Sequence, residues 1–84
     1  MKSLEVVVCK NLGMDTQLVT DIIEGANKYE SEIWVRKDEK EANAKSLLGV
    51  LSLGIVEGCK VTIVAEGNDE GDAINYLKKM VTAY

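Results

Sequence analysis

The chain has 84 residues, 46% of them hydrophobic, and its 14 acids outweigh 10 bases to leave a net charge of −4. Such a length and composition fit one small globular domain over residues 1–84, with a sufficient core and no disordered character. The acidic balance disfavours nucleic-acid phosphates and anionic membrane surfaces; no apolar run approaches the roughly 20 residues of a transmembrane helix and no signal-peptide pattern opens the chain, so a cytoplasmic protein is expected.

Leu4-Glu5-Val6-Val7-Val8 is a β-branched run bounded by Asn11-Leu12-Gly13, and it predicts the first strand. Asp15 or Thr16 caps a helix that reaches Asn27, with Leu18, Val19, Ile22, Ile23 and Ala26 forming one apolar stripe. Ile33-Trp34-Val35 predicts the second strand. Alternation turns Trp34 away from its two neighbours, so it takes the open side of the sheet if they face the helices. An exposed tryptophan there would mark a partner or dimer surface. Lys37-Asp38-Glu39-Lys40 reads as a polar turn into a weak strand at Glu41–Ala44. A short helix from Ser46 ends near Gly54, and Val61–Ala65 supplies a fourth strand. Gly67-Asn68-Asp69-Glu70 then leads into a closing helix with Ala73, Ile74, Leu77, Met80 and Val81 on its buried side. The order βαββαβα calls for an α+β fold in which one sheet is covered on one face by helices.

The segment Ala44-Lys45-Ser46-Leu47-Leu48-Gly49-Val50-Leu51-Ser52-Leu53-Gly54 carries the most functional information. Ser46 stands where a helix N-cap is wanted, and a hydroxyl there accepts from free backbone N–H groups. The leucines after it outnumber the positions that one buried stripe can use. Some of them must face outward, and an apolar surface beside a serine suggests a regulated docking site.

There is no histidine in the chain. That removes the commonest general base and the commonest zinc ligand, and it leaves serine or cysteine nucleophiles without their usual partner. Two cysteines cannot close a structural metal site. No metal, no cofactor and no enzyme activity are expected; a binding or carrier module fits the residues better.

The order of elements, the length, Ala44-Lys45-Ser46 running into Leu53-Gly54, the Ala65-Glu66-Gly67 turn and the acidic Asp69-Glu70 together resemble the phosphocarrier HPr family along essentially the whole chain. The resemblance implies an open-faced β-sandwich, with a four-stranded antiparallel sheet and three helices on one side. It also implies a phosphate-accepting histidine in a Gly-Leu-His-Thr-Arg-Pro motif. Here the matching stretch is Gly13-Met14-Asp15-Thr16-Gln17-Leu18. Asp15 replaces the histidine, Gln17 the arginine and Leu18 the proline, so histidine phosphotransfer is excluded. Gln17 also lacks the charged fork that would hold a phosphate or a carboxylate. For Asp15 three roles stay open: a helix cap, an acceptor in its own right, and a fixed charge imitating a phosphorylated histidine.

Loss of the histidine with retention of the serine resembles the Crh branch, the catabolite-repression HPr proteins of Gram-positive bacteria. That resemblance implies Ser46 as the acceptor for an ATP-dependent HPr kinase/phosphorylase. It implies Thr16, Gln17, Thr20, Leu47, Leu48, Gly49 and Leu51 as the surface for a CcpA-type repressor, and a monomer or a homodimer exchanging its first strand. Two other classes stay open: a divergent HPr domain that docks on an enzyme or permease without carrying phosphate, and a carrier with another acceptor. If the first and last strands pair as the family fold implies, Cys9 and Cys59 lie close to one another; the alternatives are a disulfide and two small free thiols.

Overall fold

The computed structural model describes residues 1–8 and 16–82. Its elements are β1 (Lys2–Val7), α1 (Thr16–Ala26), β2 (Glu32–Lys37), β3 (Lys40–Asn43), α2 (Leu47–Ser52), β4 (Lys60–Glu66) and α3 (Glu70–Thr82). The strands form one antiparallel sheet in the order β1-β4-β2-β3. The predicted order of elements and the α+β class are therefore what the chain adopts, with strand ends moved by one or two residues.

Alternation in the strands decides which face is covered. Leu4, Ile63 and Val35 share one row across β1, β4 and β2, and Val6 pairs with Val61. Apart from half-buried Leu4, these residues are buried beneath the helices with Ile33 and Ala65. The intervening positions form the open face, where Ser3, Val64, Trp34 and Asn43 make a second row. Trp34 thus lies on the open side as its spacing requires. It is half-buried and lines a surface depression with Val64, Met1, Arg36 and Glu41.

The helices bury the stripes their spacing predicts. Leu18, Val19, Ile22 and Ala26 of α1 are buried, as are Ala73, Ile74, Leu77 and Val81 of α3. Ile23 and Met80, expected in the same stripes, are only half-buried and pack at the edge of the core. A single glycine lets α1 and α3 approach. A Cβ on Gly25 would fall 2.0 Å from the ring of Tyr76, which lies across the helix there. Tyr76 donates its hydroxyl to the Asp21 carbonyl and packs at a tilt on Tyr29, with ring centroids 5.9 Å apart.

The N–H of Val8 donates to the Cys59 carbonyl at 2.9 Å, which brings the end of β1 beside the start of β4. Cys59 is a half-buried free thiol. Cys9, and with it the question of pairing, lies outside the described residues. Among the described residues no helix is long and apolar enough to cross a membrane, and no His, Cys, Asp and Glu side chains cluster as a metal site would need.

Candidate functional site

Six residues, Leu47–Ser52, form α2, and four of them are aliphatic. A helix of that length has one inward side, and it goes to Val50, 2% exposed, followed beyond the helix by Leu53 at 3%. Val50 and Ile22 of α1 line the same void of about 10 Å³, together with Val35, Ile55 and Leu77. The remaining leucines turn out: Leu48 is 79% exposed, Leu47 49% and Leu51 42%. The surplus of leucines predicted this surface. Val56, also exposed, adds to the apolar surface beyond the helix and was not foreseen. Ile55 and Val56 lie in the irregular segment between α2 and β4, where no strand or helix period assigns a face in the sequence.

Ser46 is the N-cap of α2. Its backbone is extended, with φ −109° and ψ 117°, and its Oγ accepts from the Gly49 N–H at 3.2 Å. The residue itself is exposed. Its hydroxyl proton therefore stays outside the capping bond, because capping uses the oxygen as acceptor only. The turn leading into it is set by Asn43, whose Oδ1 accepts from the Lys45 N–H at 2.8 Å while its carbonyl accepts from the Ser46 N–H at 3.0 Å.

Two lysines hold this helix from either end. Lys45 Nζ donates to the Tyr29 carbonyl at 2.8 Å, just past the end of α1. Lys37 Nζ donates to the carbonyls of Leu53 and Gly54 at 3.2 and 3.0 Å. The second contact places a cation on the carbonyls that close a helix, where the partial charge is negative. Gly54 completes the stop with φ +64°.

The Tyr29 carbonyl is itself held in place by its neighbours. Asp69 accepts from the N–H groups of Glu30 and Ser31 at 2.9 and 3.0 Å, and from the hydroxyl of Ser31. Ser31 is buried, and Gly67 is pressed against it, since a Cβ there would stand 2.6 Å from the Ser31 Cα. The Ser31 hydroxyl first, and then the Glu30 N–H, hold the Asp69 carboxyl below its ordinary value. Asp69 opens α3 as expected, its carbonyl accepting from the Ala73 N–H at 3.0 Å, and its side chain also ties two loops that lie far apart in sequence.

On α1 the structure places Gln17 and Thr20 on the exposed side, and Thr16 opens the helix. Gln17 donates through Nε2 to the Asp21 carboxylate at 2.9 Å, one turn along. Asp15 and the preceding Gly13-Met14 lie outside the described residues. Of the residues expected at the site, Ser46, Leu47, Leu48, Gly49 and Leu51 therefore come together on α2, beside α1 with Gln17 and Thr20.

The family described as PTS HPr component phosphorylation site matches residues 2–83. The HPr-like protein Crh of Halalkalibacterium halodurans is 38% identical over 77 residues, covering 92% of each chain. A crystal structure of HPr from Thermoanaerobacter tengcongensis superposes with a TM-score of 0.92 at 36% identity, covering 99% of this chain and 93% of that one. A crystal structure of Bacillus subtilis Crh, described as a dimer with a swapping domain, superposes with a TM-score of 0.78 at 30% identity, covering 99% and 93%.

Proposed function

The chain belongs to the HPr family, and from that premise we propose that it is a regulatory binding module, switched by phosphorylation of Ser46, in carbon-catabolite control. An HPr kinase/phosphorylase supplies the phosphate and a CcpA-type repressor reads it, as the likeness to Crh suggests. The observation that carries this reading is the side-by-side exposure of the Ser46 hydroxyl and of Leu47, Leu48 and Leu51 on a helix anchored by buried Val50. In the transfer, Ser46 Oγ attacks the γ-phosphorus of ATP and the bond to the β-phosphate bridging oxygen breaks. ADP leaves, and the serine proton passes to a base on the kinase. The product adds about −1.5 to −2 charges next to an apolar surface, so the change is in what the surface binds. The fold need not rearrange.

The test is incubation of the purified chain with ATP and a Gram-positive HPr kinase/phosphorylase. The expected result is one phosphate, located by mass spectrometry on Ser46 and lost in Ser46→Ala. Absence of phosphate on Ser46 in the parent chain would sink the switch. Phosphoenolpyruvate with the phosphorylating enzyme of the transport system should label nothing. A second state, the homodimer, is supported by the swapped dimer of B. subtilis Crh; sedimentation of the purified chain decides it.

A further inference from the structure

One peptide unit, Tyr29–Glu30, is gripped from both sides by side chains of opposite charge. Lys45 Nζ donates to its carbonyl at 2.8 Å, and the Asp69 carboxylate accepts from its N–H at 2.9 Å. Asp69 accepts from the next N–H as well, that of Ser31, at 3.0 Å, and from the buried Ser31 hydroxyl. The unit lies just beyond α1, which ends at Ala26, while Lys45 comes from the turn into α2 and Asp69 from the turn into α3. Hydrogen bonds at the two ends of one peptide polarise each other, so loosening one weakens the other. Beside this unit the Tyr29 and Tyr76 rings, 5.9 Å apart, line a groove with Asp72, Asn75 and Lys79.

Lys45 also stands next to Ser46, and between Lys40 and Lys60 the sequence holds no other lysine or arginine. The Tyr29 carbonyl offers its ammonium a neutral acceptor, whereas a phosphate on Ser46 would offer about −1.5 to −2 charges. A lysine carries its charge on a flexible four-carbon stem and can exchange one acceptor for a stronger one. We propose that Lys45 is a relay: phosphate on Ser46 draws its ammonium off the Tyr29 carbonyl, and the freed Tyr29–Glu30 peptide passes the state of Ser46 to the Asp69 turn that opens α3. The strands and helices keep their places, and what changes is the hold on one loop. The switch is thereby felt at the far end of α1 from Gln17 and at the Tyr29–Tyr76 groove. This inference rests on Ser46 as the phosphate acceptor and adds how the modification is transmitted through the fold.

The test uses the isotope-labelled chain with phosphoserine installed at position 46 during synthesis. The Glu30 amide nitrogen feels any bond made to the Tyr29 carbonyl, so its resonance should shift relative to the parent chain. The Glu30 and Ser31 amides should exchange about fivefold faster, the factor that one lost hydrogen bond allows. Unphosphorylated Lys45→Met should reproduce both changes, and adding phosphoserine to Lys45→Met should leave these two amides where they are. Lys45→Arg, which keeps a donor on a long stem, should restore the response to phosphoserine. A Glu30 amide unmoved by phosphoserine, unmoved by Lys45→Met, or moved equally by phosphoserine with and without the Lys45 ammonium would overturn the relay. No kinase enters this experiment, so its failure and a failure of Ser46 to be modified by a kinase are separate results.

Discussion

Ser46 Oγ accepts from the N–H of Gly49 at 3.2 Å, and Gly49 is also the residue whose missing side chain leaves room for that oxygen. A Cβ at position 49 would lie 3.3 Å from both the Cβ and the Oγ of Ser46 and 3.4 Å from the Ala42 Cβ. The proposed phosphate acceptor and the cap of α2 are thus the same atom. Ser46→Ala should lower stability by about 1 kcal/mol through loss of the cap. Ser46→Asp should keep most of it, since a carboxylate accepts the same bond. Urea unfolding of the two variants checks this; an alanine variant as stable as the parent would show that the bond contributes nothing.

Lys37 does for the end of α2 what Ser46 does for its start. Replacing it by methionine keeps the aliphatic stem and removes the ammonium from the Leu53 and Gly54 carbonyls. A loss of roughly 0.5–1 kcal/mol is expected, larger in low salt. Amide hydrogen exchange should quicken at Leu53 and Gly54, where α2 closes. Uniform acceleration across all elements would instead point to a general loss of stability.

These two lysines also show where sequence reading stops. The alternation around Trp34, the stripe of α1 and the surplus of leucines after Ser46 are local patterns, and each leaves its mark within a few residues. They were enough for the order of elements and for the exposed face of α2. The contacts of Lys45 with Tyr29 and of Lys37 with Gly54 cross 16 and 17 residues, and that of Asp69 with Ser31 crosses 38. No periodicity encodes such pairs; they exist only once the sheet order has brought the loops together. Gly25 and Gly67 are similar cases, because their need for an absent side chain is set by Tyr76 and Ser31 from other elements.

Asp69 gives a pH dependence with a definite sign. Its hydrogen bonds, that of the Ser31 hydroxyl foremost, lower its folded-state value below the ordinary 3.8. A lowered carboxyl adds stability that is fully present above the unfolded value and is lost as pH falls through the folded one. Relative to Asp69→Asn, the parent should therefore be more stable at neutral pH, and the gap should close on acidification below 3.8. Glu70 is lowered as well, by the Gly67 N–H first and by the N-terminal ammonium next. It titrates in both proteins, so the difference between them isolates Asp69. Denaturant midpoints measured from neutral to strongly acidic pH test this, and a gap that widens in acid would refute the assignment.

Val50 and Leu48 are neighbours on α2 but should answer substitution in opposite ways. Val50 is 2% exposed and lines the same void as Ile22, whereas Leu48 is 79% exposed. Val50→Ala removes buried methyl groups beside an existing void and should cost roughly 1–3 kcal/mol. Leu48→Gln should leave stability within about 0.5 kcal/mol, as surface changes usually do. If the outward leucines form the partner surface, the effects on binding are reversed. Leu48→Gln should weaken binding of the Ser46-phosphorylated chain to the proposed CcpA-type repressor by about tenfold or more, as loss of an apolar anchor does. Val50→Ala should change affinity little at temperatures where the chain stays folded. Paired unfolding and binding measurements on the two variants separate the roles, and equal losses of affinity would mean that the leucines act only through the fold.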